Sequence, residues 1–176
     1  MTKRYGIVGL VLLLVMVMAS TAAAGPNGTN RPFKGEAVGE ATFLIENPLG
    51  CPIPPVGFGI TTATDAYGTA SHLGRMSLRS EHCPLLDGSI SEGTMVFIAA
   101  NGDELHSNYT GEATPVPPNI GDPIFATTYF TFDPVASTGR FAGATGEAVL
   151  HAELVFEGFD DFAWPWWATW EGTVSY

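Results

Sequence analysis

From residue 33 onward, apolar and polar side chains alternate with period two, the spacing of strands that bury one face, and no stretch keeps helical spacing for longer than a turn. The pattern is clearest near the C-terminus. There Ala148, Leu150, Ala152, Leu154 and Phe156 share one face against Glu147, His151, Glu153 and Glu157, and Trp166, Ala168, Trp170, Val174 and Tyr176 oppose Thr169, Glu171, Thr173 and Ser175. Together with the Gly, Pro and Asp residues that interrupt it, the alternation predicts strands near 33–46, 56–64, 69–82, 88–100, 103–112, 124–132, 140–157 and 166–176.

Strands joined in this order are expected to close into a single eight-stranded antiparallel up-and-down β-barrel, an all-β fold with no open edge. Alternating strand direction then sorts the connections. One end receives the short links 65–68, 101–102 and 133–139; the other receives 47–55, 83–87, 113–123 and 158–165. The second end is rich in proline, so a stiffened rim and the mouth of the barrel are expected there. Asn101-Gly102 predicts a type I′ hairpin turn, because both residue types tolerate positive φ. Asp103, Glu104 and His106 follow it directly. Adjacent strand residues face opposite sides, so Asp103 and Glu104 read as a solvated hairpin tip rather than as a paired-carboxylate site.

The first residues follow a different pattern. Lys3 and Arg4 precede an apolar run from Ile7 to Met18, and the small residues Ala22 and Ala24 suit a signal-peptidase site before Gly25. Residues 1–24 therefore read as a signal peptide, 25–32 as a loose leader and 33–176 as the barrel domain, which places the mature protein outside the cell or in the periplasm. The run gives way to small residues by Ala19, short of the roughly 20 strongly apolar positions a spanning helix needs. Cleavage would leave five basic residues against 18 acidic ones, a net charge of −13. That balance argues against nucleic acid or an anionic membrane as partner, since both call for clustered Lys and Arg. In an oxidising compartment Cys51 and Cys83, both on the long-loop rim, are a candidate disulfide, with two free thiols as the alternative.

HLGR (72–75), AANGDEL (99–105) and especially TGRFAGATGEA (138–148) resemble the allene oxide cyclase and dirigent β-barrel superfamily, and are closest to its exported bacterial members without assigned activity. The resemblance covers residues 69–148 well and the ends weakly. It implies an eight-stranded, calycin-like barrel whose hydrophobic lumen holds a small reactive molecule. The glycines of the last motif have a physical reason of their own, since Gly139, Gly143 and Gly146 would let a curved strand bend and pack closely.

Signals for chemistry are sparse. The four histidines, His72, His82, His106 and His151, form no His-x-His pair and no carboxylate lies at a metal-ligand spacing, so no metal or cofactor is expected. There is no Gly-x-Ser-x-Gly elbow, phosphate loop or reactive-cysteine motif, and no catalytic residue is assigned. In strand 69–82, Arg75, Arg79 and Glu81 oppose His72, Met76 and Leu78, and either face could point inward. An inward Arg75 would need a partner, as a structural ion pair or as a polar anchor for a ligand. Trp164, Trp166, Trp167 and Trp170 read either as core or as the lining of an apolar pocket or sugar site. The candidate ligand-binding residues are His72, Arg75, Tyr129, Trp166 and Trp170. The expected function is binding of a small apolar ligand in the lumen or at the mouth. The alternatives are a dirigent-like or cyclase-like enzyme, which needs a carboxylate, tyrosine or histidine inside the cavity, and a packed barrel with an interaction or envelope role.

Overall fold

The computed structural model describes residues 28–158, 160 and 163–176. The expected signal peptide lies outside these residues. Eight antiparallel strands, β1 (Arg31–Leu44), β2 (Thr61–Ala70), β3 (Gly74–Pro84), β4 (Ser89–Ala99), β5 (Glu104–Ala113), β6 (Pro123–Phe132), β7 (Thr145–Val155) and β8 (Ala163–Ser175), pair each with its neighbour in sequence. The pairing of β1 with β8, from Arg31 opposite Val174 to Thr42 opposite Ala163, closes the barrel. Period-two alternation sets the inside and outside faces: in β8, Trp164, Trp166, Ala168, Trp170 and Val174 are buried while their odd-numbered neighbours face outward.

Three local expectations need correction. The strand expected at 56–64 begins only at Thr61, and β2 runs on through the turn expected at 65–68, so that the hairpin bends at Ser71-His72-Leu73 instead. Gly68 serves close approach rather than turning, because a Cβ there would strike the Glu36 carbonyl of β1. The positive φ of the bend falls on His72 (70°) and Gly74 (70°). At Asn101-Gly102 only Gly102 has positive φ (87°), and its amide donates to the Ala99 carbonyl at 2.9 Å. This is a type I turn followed by a left-handed glycine, the three-residue relative of the expected type I′ turn. Finally, β7 starts at Thr145 rather than 140. Gly139–Phe141 forms a 3₁₀ turn that folds under the barrel, where Phe141 and Ala144 are fully buried and Phe141 packs on Tyr176 at 5.1 Å. The left-handed φ of Gly139 (57°) and Gly143 (80°) bounds this plug.

The plugged end is packed solid. Phe33 meets Phe97 at 5.5 Å and Phe132 at 5.2 Å, and Phe97 meets Trp170 at 5.3 Å and Phe130 at 5.7 Å. At the opposite end the same strands turn small residues inward: Ala41, Thr62, Thr64, Ser80, Ala126, Thr128 and Ala152. A barrel of eight strands has an interior that side chains can either fill or leave room in for one small ligand, so residue size decides between the two.

The long loops form the rim. Cys51 and Cys83 are joined in a disulfide, with Cα atoms 5.3 Å apart, which ties the β1–β2 connection to the end of β3. Asn47 holds the same loop from within, accepting from the Cys51 amide at 2.7 Å and donating to the Cys51 carbonyl at 3.0 Å. The disulfide fits an extracellular or periplasmic location. Among the described residues no helix is long and apolar enough to cross a membrane.

Candidate functional site

A cavity of about 350 Å³ occupies the long-loop half of the lumen and opens between the rim loops. Its apolar wall comes from Ala41 on β1, Met95 on β4, Ile124 and Ala126 on β6, Leu150, Ala152 and Leu154 on β7, and Trp164 and Trp166 on β8. Trp164 is fixed at the mouth by donating Nε1–H to the Gly158 carbonyl at 3.1 Å and by packing against Phe43 and Phe156. A polar arc faces this wall: Thr62 and Thr64 on β2, Ser80 and His82 on β3, and Tyr109 on β5.

The centre of the arc is a hydrogen bond of 2.8 Å between His82 Nδ1 and the Tyr109 hydroxyl. Two irregularities bring these side chains together. The β3–β4 register shifts between Glu81 and Cys83, and the β4–β5 register shifts between Ile90 and Gly93, where Glu92 takes a φ of 52°. Such bulges re-aim side chains. Gly93 then leaves the room that the Tyr109 ring needs to reach past β4, since a Cβ there would lie 2.6 Å from the ring.

Burial holds both groups neutral. It lowers the His82 imidazole to about 4 and pushes the Tyr109 phenol above its ordinary range, although the nearby Ser80 hydroxyl works in the opposite direction. The bond has two arrangements: the phenol donates to Nδ1 with the imidazole proton on Nε2, or Nδ1–H donates to the phenol oxygen and Nε2 is an acceptor. A base titrating near 4 beside a phenol raised beyond its usual range is poorly matched to proton transfer at neutral pH. As a neutral donor and acceptor pair it is well suited to hydrogen bonding.

The residues singled out from the sequence are dispersed. Trp166 lines the cavity. Trp170 faces inward but lies below it, 3 % exposed in the aromatic packing of the plugged half. Tyr129 is on the outer face of β6 and 55 % exposed, because its neighbours Thr128 and Phe130 take the inward positions. Arg75 is exposed on the outer face of β3, which settles that strand's orientation with Met76, Leu78 and Ser80 inside. His72 sits at the plugged end, with Nε2 bonded to the Pro32 carbonyl at 3.0 Å and its ring against Tyr176. The acidic cluster after Asn101 is a hairpin tip: Glu104 pairs with His106 at 2.8 Å, and Asn101 donates to Asp103 at 2.8 Å.

The polar residues that do reach the lumen were not singled out from the sequence. Strand parity was the one available signal for His82 and Ser80, since they share the face of Met76 and Leu78. Nothing local links His82 to Tyr109, 27 positions away. No family model matches the chain, and neither does any curated protein or solved structure.

Proposed function

We propose that this is an exported β-barrel that binds one small apolar molecule in the long-loop half of its lumen, with residues 1–24 as the signal peptide. The observation that carries this reading is the roughly 350 Å³ cavity, apolar over most of its wall and open at the rim. Its surroundings suit an apolar guest. Ile45, Ile53, Val56, Phe58, Leu86 and Val116 stay exposed on the rim loops, and Phe58, Leu86 and Val116 border the cavity itself. The resemblance to the allene oxide cyclase and dirigent superfamily agrees with a lumen of this kind.

Titration with the uncharged fluorophore N-phenyl-1-naphthylamine tests the proposal. Binding should raise probe emission and quench tryptophan, with a dissociation constant on the order of micromolar. Ala152→Phe, which fills the cavity, should abolish the signal, and Trp166→Ala should weaken it. Undiminished binding to the Ala152→Phe variant would move the site out of the lumen.

His82 with Tyr109 supports a second reading, in which the barrel steers a reactive substrate as a dirigent-like or cyclase-like protein does. The pair supplies the histidine and tyrosine beside an apolar wall that such chemistry requires. The neutral state of both groups at pH 7 favours binding over acid–base work.

A further inference from the structure

Three residues that line the cavity have hydrogen-bonding capacity to spare. The Thr62 and Thr128 hydroxyls, in residues only 3 % and 5 % exposed, have no partner among the described residues. His82 Nε2 is in the same position, because Nδ1 makes the ring's hydrogen bond to Tyr109. Thr62 pairs directly across the strands with His82, so these two form one polar station. Thr128 lies on β6, four strands from β2 around the ring and therefore on the facing wall. The lining between the two stations is largely apolar.

Charge narrows the class of guest. Among the described residues that line the cavity there is no Lys or Arg, and the one ionised group is Asp87 at the rim. The Ser89 hydroxyl and amide hold its carboxyl below the usual carboxylate range, so it is anionic at neutral pH. A carboxylate entering the lumen would pass this charge, leave water and find no cation to meet it, which is a severe desolvation cost. A pure hydrocarbon would avoid that cost but leave the Thr62 hydroxyl and His82 Nε2 unpaired. An alcohol or a ketone satisfies them without bringing a charge. For scale, a dry cavity of ~150 Å³ accepts benzene, so this one encloses roughly 10 to 15 heavy atoms, and the larger N-phenyl-1-naphthylamine would extend into the open mouth.

We propose that the lumen selects an uncharged, mainly apolar molecule with a neutral oxygen function, an alcohol or carbonyl seated against Thr62 and His82, and discriminates against the corresponding carboxylate. This rests on the lumen-binding reading above and names the class of molecule that site takes.

Competition against N-phenyl-1-naphthylamine with 1-decanol, 2-decanone and decanoate, at pH 7.5, tests it. The alcohol and ketone should displace the probe about tenfold more tightly than decanoate, or better. Thr62→Val and His82→Phe should each weaken decanol roughly three- to tenfold more than they weaken the probe, while Thr128→Val leaves the preference intact. Decanoate competing as well as decanol would overturn the inference, as would a decanol affinity indifferent to both Thr62→Val and His82→Phe. Should His82→Phe fail to fold, the three competitors on the unaltered protein still decide. If neither the probe nor any decyl compound binds, the lumen-binding reading itself falls; probe binding without a preference for the neutral competitors removes only this inference.

Discussion

The two halves of the barrel are built from the same strands and differ in what those strands turn inward. Toward the plug, β1, β4, β6 and β8 contribute Phe33, Phe97, Phe130, Phe132 and Trp170, and the rings fill the section. Toward the rim, β1, β2, β3, β6 and β7 contribute Ala41, Thr62, Thr64, Ser80, Ala126, Thr128 and Ala152, and the lumen stays open. Hydrogen-bonded closure is common to both halves, so it is not what makes the cavity. Side-chain volume is. The packed half supplies apolar burial, and with the barrel held closed from below, the upper section can carry a cavity and two unpartnered hydroxyls that would otherwise count against folding.

The contrast breaks most sharply in the packed half. Phe97→Ala removes a ring that contacts Phe33, Phe130 and Trp170, and should cost about 3–5 kcal/mol in urea unfolding. Ala152→Phe in the open half should cost no more than about 1 kcal/mol, because there is room for the ring. Equal losses from the two substitutions would mean that the halves do not differ in packing.

At the rim, stability comes instead from the cross-link. Thiol titration of the denatured, unreduced protein should find no free sulfhydryl at Cys51 or Cys83. A Cys51→Ser, Cys83→Ser double variant should lose about 2–4 kcal/mol, since the bond spans 32 positions and restrains the unfolded chain. Next in size is Gly146→Val, at roughly 1–3 kcal/mol. A Cβ at this position of β7, with φ at 133°, collides with the Thr173 carbonyl of β8. That loss should appear with or without probe, and a variant of unchanged thermal stability would contradict the close-packing role.

A pH-dependent effect belongs to the open half. His82 titrates at about 4 in the fold and at about 6.5 when unfolded, so between these values the unfolded chain binds the extra proton. Its contribution is complete above pH 6.5, declines as pH falls toward 4 and is flat below. Because the ring borders the cavity rather than solid packing, the loss should be about 1–2 kcal/mol, less than a fully buried imidazole would give. Comparing urea midpoints at pH 7.5 and 4.5 checks it. His82→Phe should show the shallower pH dependence, and parallel slopes would place the histidine's titration near its unfolded value.

The chain itself determined a good deal. Period-two alternation at eight places was enough for the strand count, and strand parity with loop lengths sorted the connections into a short-turn end and a long-loop end, which put Cys51 and Cys83 on the same rim. The misplaced boundaries have local causes. Gly68 read as a turn because its strand pattern does not show that the β1 backbone approaches it, and residues 140–144 read as strand because their glycines do not show that Phe141 must seal the barrel. Candidate site residues were the least legible, and Tyr129, Trp170, His72 and Arg75 all lie away from the cavity. Aromatic and charged side chains are conspicuous in a sequence, whereas the cavity depends on where small residues coincide on several strands. Only closure of the barrel aligned Ala41, Ala126 and Ala152 at one height, and only two bulges and the bare backbone of Gly93 brought Tyr109 to His82. Periodicity is a property of neighbours along the chain and is written locally; a cavity is a property of neighbours across it, and exists only once the register of every strand pair is set.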